Sequence, residues 1–174
     1  DLQHLFARSG LRMSISDAMS TAFAERYSLP FEAFANGIDA QQWSTPRQHH
    51  NEAIVIRYAG GMAPDMNAAS LQRIAQAVEA RAQAGQDVRL EISTRAHWAK
   101  VSGHLFEGLS HTSLDTTERP QEDYVRWLCE ADVVLIAYNF DPVSQRYVQY
   151  SMANKLPECL ASGAALLAHG PRGL

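Results

Sequence analysis

The stretch Asp132-Val133-Val134-Leu135-Ile136-Ala137-Tyr138-Asn139 decides how the rest of the chain is read. From Val133 to Tyr138 it is an unbroken apolar run of six residues, rich in β-branched side chains and bounded by polar ones. Six residues suit a strand and fall far short of the roughly 18 that a membrane-spanning helix needs. Neither alternating face is polar, so both must be covered, which is the condition of a parallel strand with helices packed on each side. The run is expected to lie centrally in such a sheet.

Working outward, Ala53 to Ala59 (AIVIRYA) is a second apolar, β-branched run ending at Gly60-Gly61. After it Leu71, Ile74, Ala75 and Val78 recur at helical spacing until Gly85, giving strand, glycine turn and helix. Asp87 to Thr94 alternates apolar and polar residues and reads as the next strand. Ala96 to Leu109 carries Gly103 and Gly108 and has no firm assignment. His111 to Thr117 reads as a short third strand, and Pro120 as the first helical residue before Gln121 to Glu130, with Val125, Leu128 and Cys129 on one face. Beyond the central run, a polar loop with Asp141-Pro142 leads to a helix from Asn154 to Ser162, stopped by Gly163, and to a fifth strand, Ala164 to Ala168. Strand and helix alternate throughout, which predicts an α/β fold with a doubly wound, Rossmann-like parallel sheet. In the order 3-2-1-4-5 the ligand crevice lies at the carboxyl ends of the strands, between Gly60-Gly61 and the loop that starts at Asn139.

Residues 1–45 follow another pattern. Leu11 to Ser16 reads as a strand, Asp17 to Tyr27 as a helix with Ser16 or Asp17 as its N-cap, and Pro30 to Ile38 as a return segment with a turn at Asn36-Gly37. One βα unit cannot bury its own apolar face, so these residues are assigned to the end of a second domain and its crossover. Residues 46–174 are then the ligand-binding domain. The opening on Asp1, and the close at Gly170 to Leu174 directly after a strand, suggest a piece of a longer protein, truncated at its C-terminus.

The 174 residues carry 15 Lys and Arg against 19 Asp and Glu, a net charge of -4, with 46% apolar side chains. This composition excludes a dominantly disordered chain and offers no basic footprint for nucleic acid or an anionic membrane. No transmembrane segment is expected. Cys129 and Cys159 stand 30 positions apart, neither a zinc spacing nor a disulfide framework, and fall on apolar helix faces as small core residues in a reducing cytoplasm. His97, His104 and His111 recur every seven residues. On a helix such neighbours stand about 10 Å apart, too far to share a metal whose bonds are about 2 Å long. His49-His50 reads as a solvated pair in a polar linker. Gly60-Gly61 is no G-x-G-x-x-G fingerprint, and neither a phosphate-loop motif nor an Asp-x-Asp pair occurs, so no metal and no cofactor are expected.

The helix beginning near Asn154 bears the chemistry. Pro157 lacks an N–H and is tolerated only in a first turn, so the helix must start within about three residues before it. Lys155 and Glu158, at i and i+3, then share one face at the positive end of the helix. An ammonium for phosphates and a carboxylate for ribose hydroxyls would suit a nucleoside diphosphate. The plainer reading is that Glu158 only neutralises the helix end and Lys155 is solvated. Asn139 and Asp141, leaving the central strand at its carboxyl end, suit ligand contact and loop capping equally.

Asn154-Lys155-Leu156-Pro157-Glu158-Cys159-Leu160-Ala161-Ser162-Gly163 resembles the Lys-Leu-x-Glu-x-Leu-Ala-x-Gly stretch of GT-B glycosyltransferases of the group 1 type. Ala53 to Gly61 resembles the first βα unit of that family's donor-binding domain, and Ala131-Asp132-Val133-Val134 its Ala-Asp-Val strand entry. Ser16 to Met19, Tyr27 and Asn36-Gly37-Ile38-Asp39 are similar to the segment that closes the acceptor domain and crosses over. The resemblance implies the donor-binding half of a metal-independent enzyme. Such an enzyme transfers a hexosyl-type sugar from a nucleotide-diphosphate sugar to an acceptor that could be a glycan, a lipid or a small molecule, as in polysaccharide biosynthesis.

It also implies that Glu158 holds the donor ribose and Lys155 steadies the diphosphate, with Gly60, Gly61, Asn139, Tyr150 and Asn154 as the surrounding binding positions. The chain departs from the family where Tyr150 replaces an earlier glutamate, and where Gly61 and approximately Asn67 stand in place of basic residues facing the diphosphate. Those departures leave two alternatives beside transfer: a non-catalytic binding or assembly module of the same fold, or a sugar-nucleotide epimerase. The fragment alone is expected to bind nucleotide and transfer little sugar.

Overall fold

A computed structural model describes residues 1–43 and 52–172; His49-His50 and the boundary at 45–46 lie outside the described residues. The chain opens with α1 (Leu2–Arg8), β1 (Met13–Ser14), α2 (Asp17–Tyr27) and β2 (Glu32–Ala33). Ser16 is the N-cap of α2, its hydroxyl accepting from the Met19 amide at 3.1 Å. β1 and β2 pair in parallel, and Phe6, Phe23, Tyr27 and Phe31 form a ring cluster against them. Neither α1 nor α2 contains a buried residue, and Leu2, Leu5, Met13 and Phe34 are exposed. The unit indeed fails to bury its own apolar side chains. α1 has no counterpart among the elements expected from sequence.

The remaining elements are β3 (Ile54–Ala59), α3 (Ala68–Gln83), β4 (Val88–Ser93), α4 (Ala96–Ser102) running into a 3-10 turn at Gly103–Phe106, β5 (Thr112–Asp115), α5 (Gln121–Cys129), β6 (Val133–Ala137), α6 (Pro142–Val148), α7 (Leu156–Ala161) and β7 (Ala165–His169). Every pairing is parallel and the order is β5-β4-β3-β6-β7, the expected 3-2-1-4-5. The middle strand is therefore β3, while β6 is interior with β3 and β7 as neighbours. α6 replaces the expected loop: Asp141 caps it, its carboxylate accepting from the Val143 and Ser144 amides, and Pro142 occupies the first turn.

The alternation within β6 explains the two cores. Leu135 and Ala137 join Leu71, Ile74, Ala75 and Val78 of α3 with Leu90 and Ile92 of β4 on one face. Val134 turns to the other face, to Val125, Leu128 and Cys129 of α5 and to Cys159. Each such aliphatic side chain contributes about 1.5–3 kcal/mol when fully buried. Trp43 packs into this second core, 8% exposed and edge-on to Tyr124, so the end of the leading segment is anchored on the larger sheet. One charge interrupts the apolar pattern: Arg57 on β3 is 7% exposed. Its Nε sits 2.8 Å from Glu91 Oε2, and its guanidinium lies 4.9 Å over the Trp127 ring.

Candidate functional site

α7 begins at Leu156 with Pro157 in its first turn, as the missing N–H of proline requires, and Lys155 stands at the N-cap. Lys155 Nζ lies 2.9 Å from Glu158 Oε2 and 4.8 Å over the ring of Tyr124. The Tyr124 hydroxyl donates to the same Glu158 oxygen at 2.7 Å. Burial, and then the neighbouring Glu158 carboxylate, hold the Tyr124 phenol far above its ordinary value, so it remains a donor at any physiological pH. The Lys155 side chain is 44% exposed, so the pair adds at most about 1 kcal/mol to stability; its effect is to fix where both charges sit.

Two cavities flank Lys155. The larger, 950 Å³, opens over the carboxyl ends of β3, β4 and β5, with Gly60-Gly61, Arg95, Trp98, Tyr124 and Lys155 in its wall. The smaller, 350 Å³, lies over the ends of β3 and β6 and is walled by Tyr58, Tyr138, Met152 and Asn154 with the same glycines and Lys155. Gly60, Gly61 and Lys155 thus form the ridge between them, at the reversal of strand order where the crevice is expected from sequence. Glu158 does not wall either cavity; it is tied to them through Lys155 and Tyr124.

The glycine turn is braced from within. Gly60 has φ +152°, and a Cβ there would meet the Tyr58 hydroxyl at 3.0 Å. The Tyr58 hydroxyl donates to the Gly61 carbonyl at 2.6 Å, and the Asn67 amide donates to both, at 2.6 Å to Tyr58 and 2.9 Å to Gly61. Asn67 Oδ1 accepts from the Ala63 amide at 3.0 Å, and the residue is 3% exposed. Asn67 is a buried brace of the turn. Gly61 has another neighbour, since a Cβ on it would lie 3.0 Å from Nε1 of Trp98, so a side chain at 61 would require the indole to shift.

The other expected positions separate. Asn154 lines the smaller cavity, and its Oδ1 accepts from the Asn36 amide at 2.8 Å. Tyr150 lines neither cavity; its carbonyl accepts from the Ser16 hydroxyl at 2.8 Å. Asn139 is 3% exposed and also outside both linings. Its Oδ1 accepts from the Ser70 amide, and its Nδ2 donates to the Pro64 carbonyl at 2.9 Å and toward Ser144 Oγ at 3.4 Å. Asp141 is a helix cap whose carboxyl is held below the ordinary range, first by the Ser144 hydroxyl and amide.

The larger cavity also gathers residues not among the site positions expected from sequence, among them Arg95, Trp98, Arg119 and Tyr124. Arg119 pairs with Asp115, donates to Ser93 Oγ at 2.9 Å and lies 4.9 Å over the Trp127 ring. The signal that points to them is their place in the segments that follow β4 and β5, since the strand ends of such a sheet face its ligand. Among the described residues no group of three His, Cys, Asp or Glu side chains could hold a metal ion, and no helix is long and apolar enough to cross a membrane.

No protein-family model and no curated protein sequence matches the chain. Solved structures do. An α,α-trehalose 6-phosphate synthase from Burkholderia multivorans superposes with a TM-score of 0.68 at 13% identity, over 96% of this chain and 46% of that one. A mutant of TarM from S. aureus, in complex with fondaparinux, α-GlcNAc-glycerol and UDP, superposes with a TM-score of 0.69 at 10% identity, over 95% of this chain and 31% of that one. A UDP-forming α,α-trehalose-phosphate synthase from Burkholderia vietnamiensis gives 0.67 at 9% identity, over 96% and 46%. At these identities the likeness is one of fold, the Rossmann-like α/β half of GT-B glycosyltransferases. The chain spans less than half the length of the structures it matches.

Proposed function

We propose that the chain is the donor-binding half of a glycosyltransferase and holds a nucleoside diphosphate sugar across the Gly60-Gly61 ridge. The observation that carries this reading is Lys155 seated between two cavities at the strand ends, with Glu158 and Tyr124 fixed beside it, in a fold shared with glycosyltransferases. The nucleoside would occupy the larger cavity and the sugar the smaller. Lys155 would face the diphosphate, where negative charge grows as the glycosidic bond breaks; each 1.4 kcal/mol or so of stabilisation there is about tenfold in rate. Tyr124 and Lys155 both use Oε2 of Glu158, which itself walls neither cavity, so the carboxylate would serve the donor by fixing those two side chains at the cavity wall.

Residues 1–45 would be the end of the acceptor half and its crossover. Their anchorage supports this: Trp43 in the second core, Ser16 on Tyr150 and Asn36 on Asn154. The acceptor would be a glycan, a lipid or a small molecule, as in polysaccharide assembly, and the sugar a hexosyl-type residue. The reaction would proceed without metal, the cations of the cleft serving the diphosphate. The two buried free thiols suit the cytoplasm. Sugar transfer would belong to the longer protein, and this length alone would bind donor and turn over little.

Thermal shift with uridine, guanosine and adenosine diphosphate sugars tests the reading, uridine first because one neighbour holds UDP and another is UDP-forming. A rise with one of them that Glu158→Ala abolishes is the expected result. No response, or the same response in Glu158→Ala, defeats it. A non-catalytic binding module is favoured by the turn itself, where Gly61 and buried Asn67 present no cation. Turnover by the complete protein with an acceptor decides against that alternative; release of an altered sugar without any acceptor would instead reveal an epimerase.

A further inference from the structure

The walls of the larger cavity carry three cations, Arg95, Arg119 and Lys155, and their environments differ. Arg119 is held by Asp115 and Ser93 and stacked on Trp127, while Lys155 is held by Glu158 over Tyr124. Arg95, exposed at the end of β4, has no ion-pair partner among the described residues. Beside it Thr94 is 8% exposed, also lines the cavity, and has a buried hydroxyl with no hydrogen-bond partner among the described residues. One turn on, Trp98 fills the space above Gly61, its indole Nε1 at the ridge and likewise without an acceptor among the described residues.

Arg95 and the Trp98 indole N–H are thus donors on residues of one cavity wall with no partner among the described residues. Arg95 offers five N–H groups in a planar fork, the geometry that grips phosphate oxygens. The turn after β3 does not supply this charge, because Gly61 has no side chain and Asn67 is committed to bracing the turn.

Resting on the reading of the cleft as a nucleotide site, we propose that Arg95 and Trp98 are its diphosphate contacts, the charge coming from the end of β4 instead of from the turn after β3. The ligand class is a nucleoside diphosphate, bound through its phosphates by Arg95, Trp98 and Lys155 together.

Calorimetric titration of the chain with uridine, guanosine and adenosine and with their 5′-diphosphates separates the two levels. The wild-type chain should bind one diphosphate at least about tenfold more tightly than its nucleoside, the scale of one charge-assisted contact. Arg95→Gln should lose about tenfold in affinity for that diphosphate, with nucleoside affinity and melting temperature unchanged. Trp98→Phe, which keeps a ring but removes the N–H, should lose about threefold to tenfold on the same ligand. Retention of wild-type diphosphate affinity by Arg95→Gln overturns the assignment, as does an equal loss for nucleoside and diphosphate, which would move Arg95 to the base. If the wild-type chain binds none of the six compounds, the nucleotide reading itself falls, and this assignment with it.

Discussion

Gly61→Ala is the sharpest structural perturbation of the ridge. The added methyl would stand 3.0 Å from Nε1 and 3.1 Å from Cε2 of Trp98, inside normal contact distance on two atoms. Overpacking of this kind costs about 1–3 kcal/mol. Trp98 is only half-buried and can shift, which favours the lower part of that range. The backbone itself does not oppose alanine, since Gly61 is not among the glycines of positive φ. With Trp98→Ala already in place the clash is gone, and a glycine-to-alanine change at a compatible site stabilises by about 0.4–1 kcal/mol through the unfolded chain. The unfolded-chain gain is common to both backgrounds, so Gly61→Ala should be less favourable with Trp98 present than without it by the clash alone, a coupling of about 1 kcal/mol. Urea denaturation of the four proteins, followed by circular dichroism, measures it, and each kcal/mol corresponds to about 2–4 °C in melting temperature for a chain of this size. An equal effect of Gly61→Ala with and without Trp98 would refute the claim that the indole opposes a side chain here.

Glu91→Gln removes the nearer partner of buried Arg57. Because Glu130 remains 3.8 Å away, a loss of about 1–3 kcal/mol is expected in urea denaturation, largely recovered when Arg57→Met is added. Ser16→Ala should cost about 1 kcal/mol and speed hydrogen exchange at the Met19 amide, since it removes the N-cap of α2 as well as the bond to the Tyr150 carbonyl. Asp115 is held below its ordinary 3.8 by the Thr117 amide first and by Arg119 after it. A depressed folded value means its contribution is full above 3.8 and fades as pH falls through the lower folded value, so Arg119→Gln should flatten the acid limb of the stability profile between about pH 5 and pH 2. An unchanged acid limb would show that Arg119 does not set that titration.

The sheet is legible in the sequence because its signal is local and redundant. A run such as Val133 to Tyr138, apolar on both faces, can only be interior, and right-handed crossovers leave few orders for the strands that flank it. Pro157 pins the start of α7 and with it the neighbourhood of Lys155 and Glu158. The pair Asp141-Pro142 reads as a loop, although an Asp before a Pro is also how a helix begins; α6 itself is too short to show a period. Asn139 and Asn67 carry the same amide, and only burial reveals that both brace backbone beside the cleft. Arg95, Trp98 and Arg119 carry no signal beyond their place after a strand, because the larger cavity gathers the ends of β3, β4 and β5, which lie far apart along the chain. The close approach of Trp98 to Gly61 joins residues 37 positions apart, beyond the reach of any local pattern.

Amide and indole chemical shifts of the isotopically labelled chain, recorded while uridine, guanosine and adenosine diphosphates are added in turn, report where a nucleotide lands. One of the three should move Gly60, Gly61, Arg95, the Trp98 indole N–H and Lys155 together, saturably and with a common dissociation constant. Shifts confined to α1 or the outer face of α3, or none with any of the three, would mean that the strand-end cleft is not a nucleotide site.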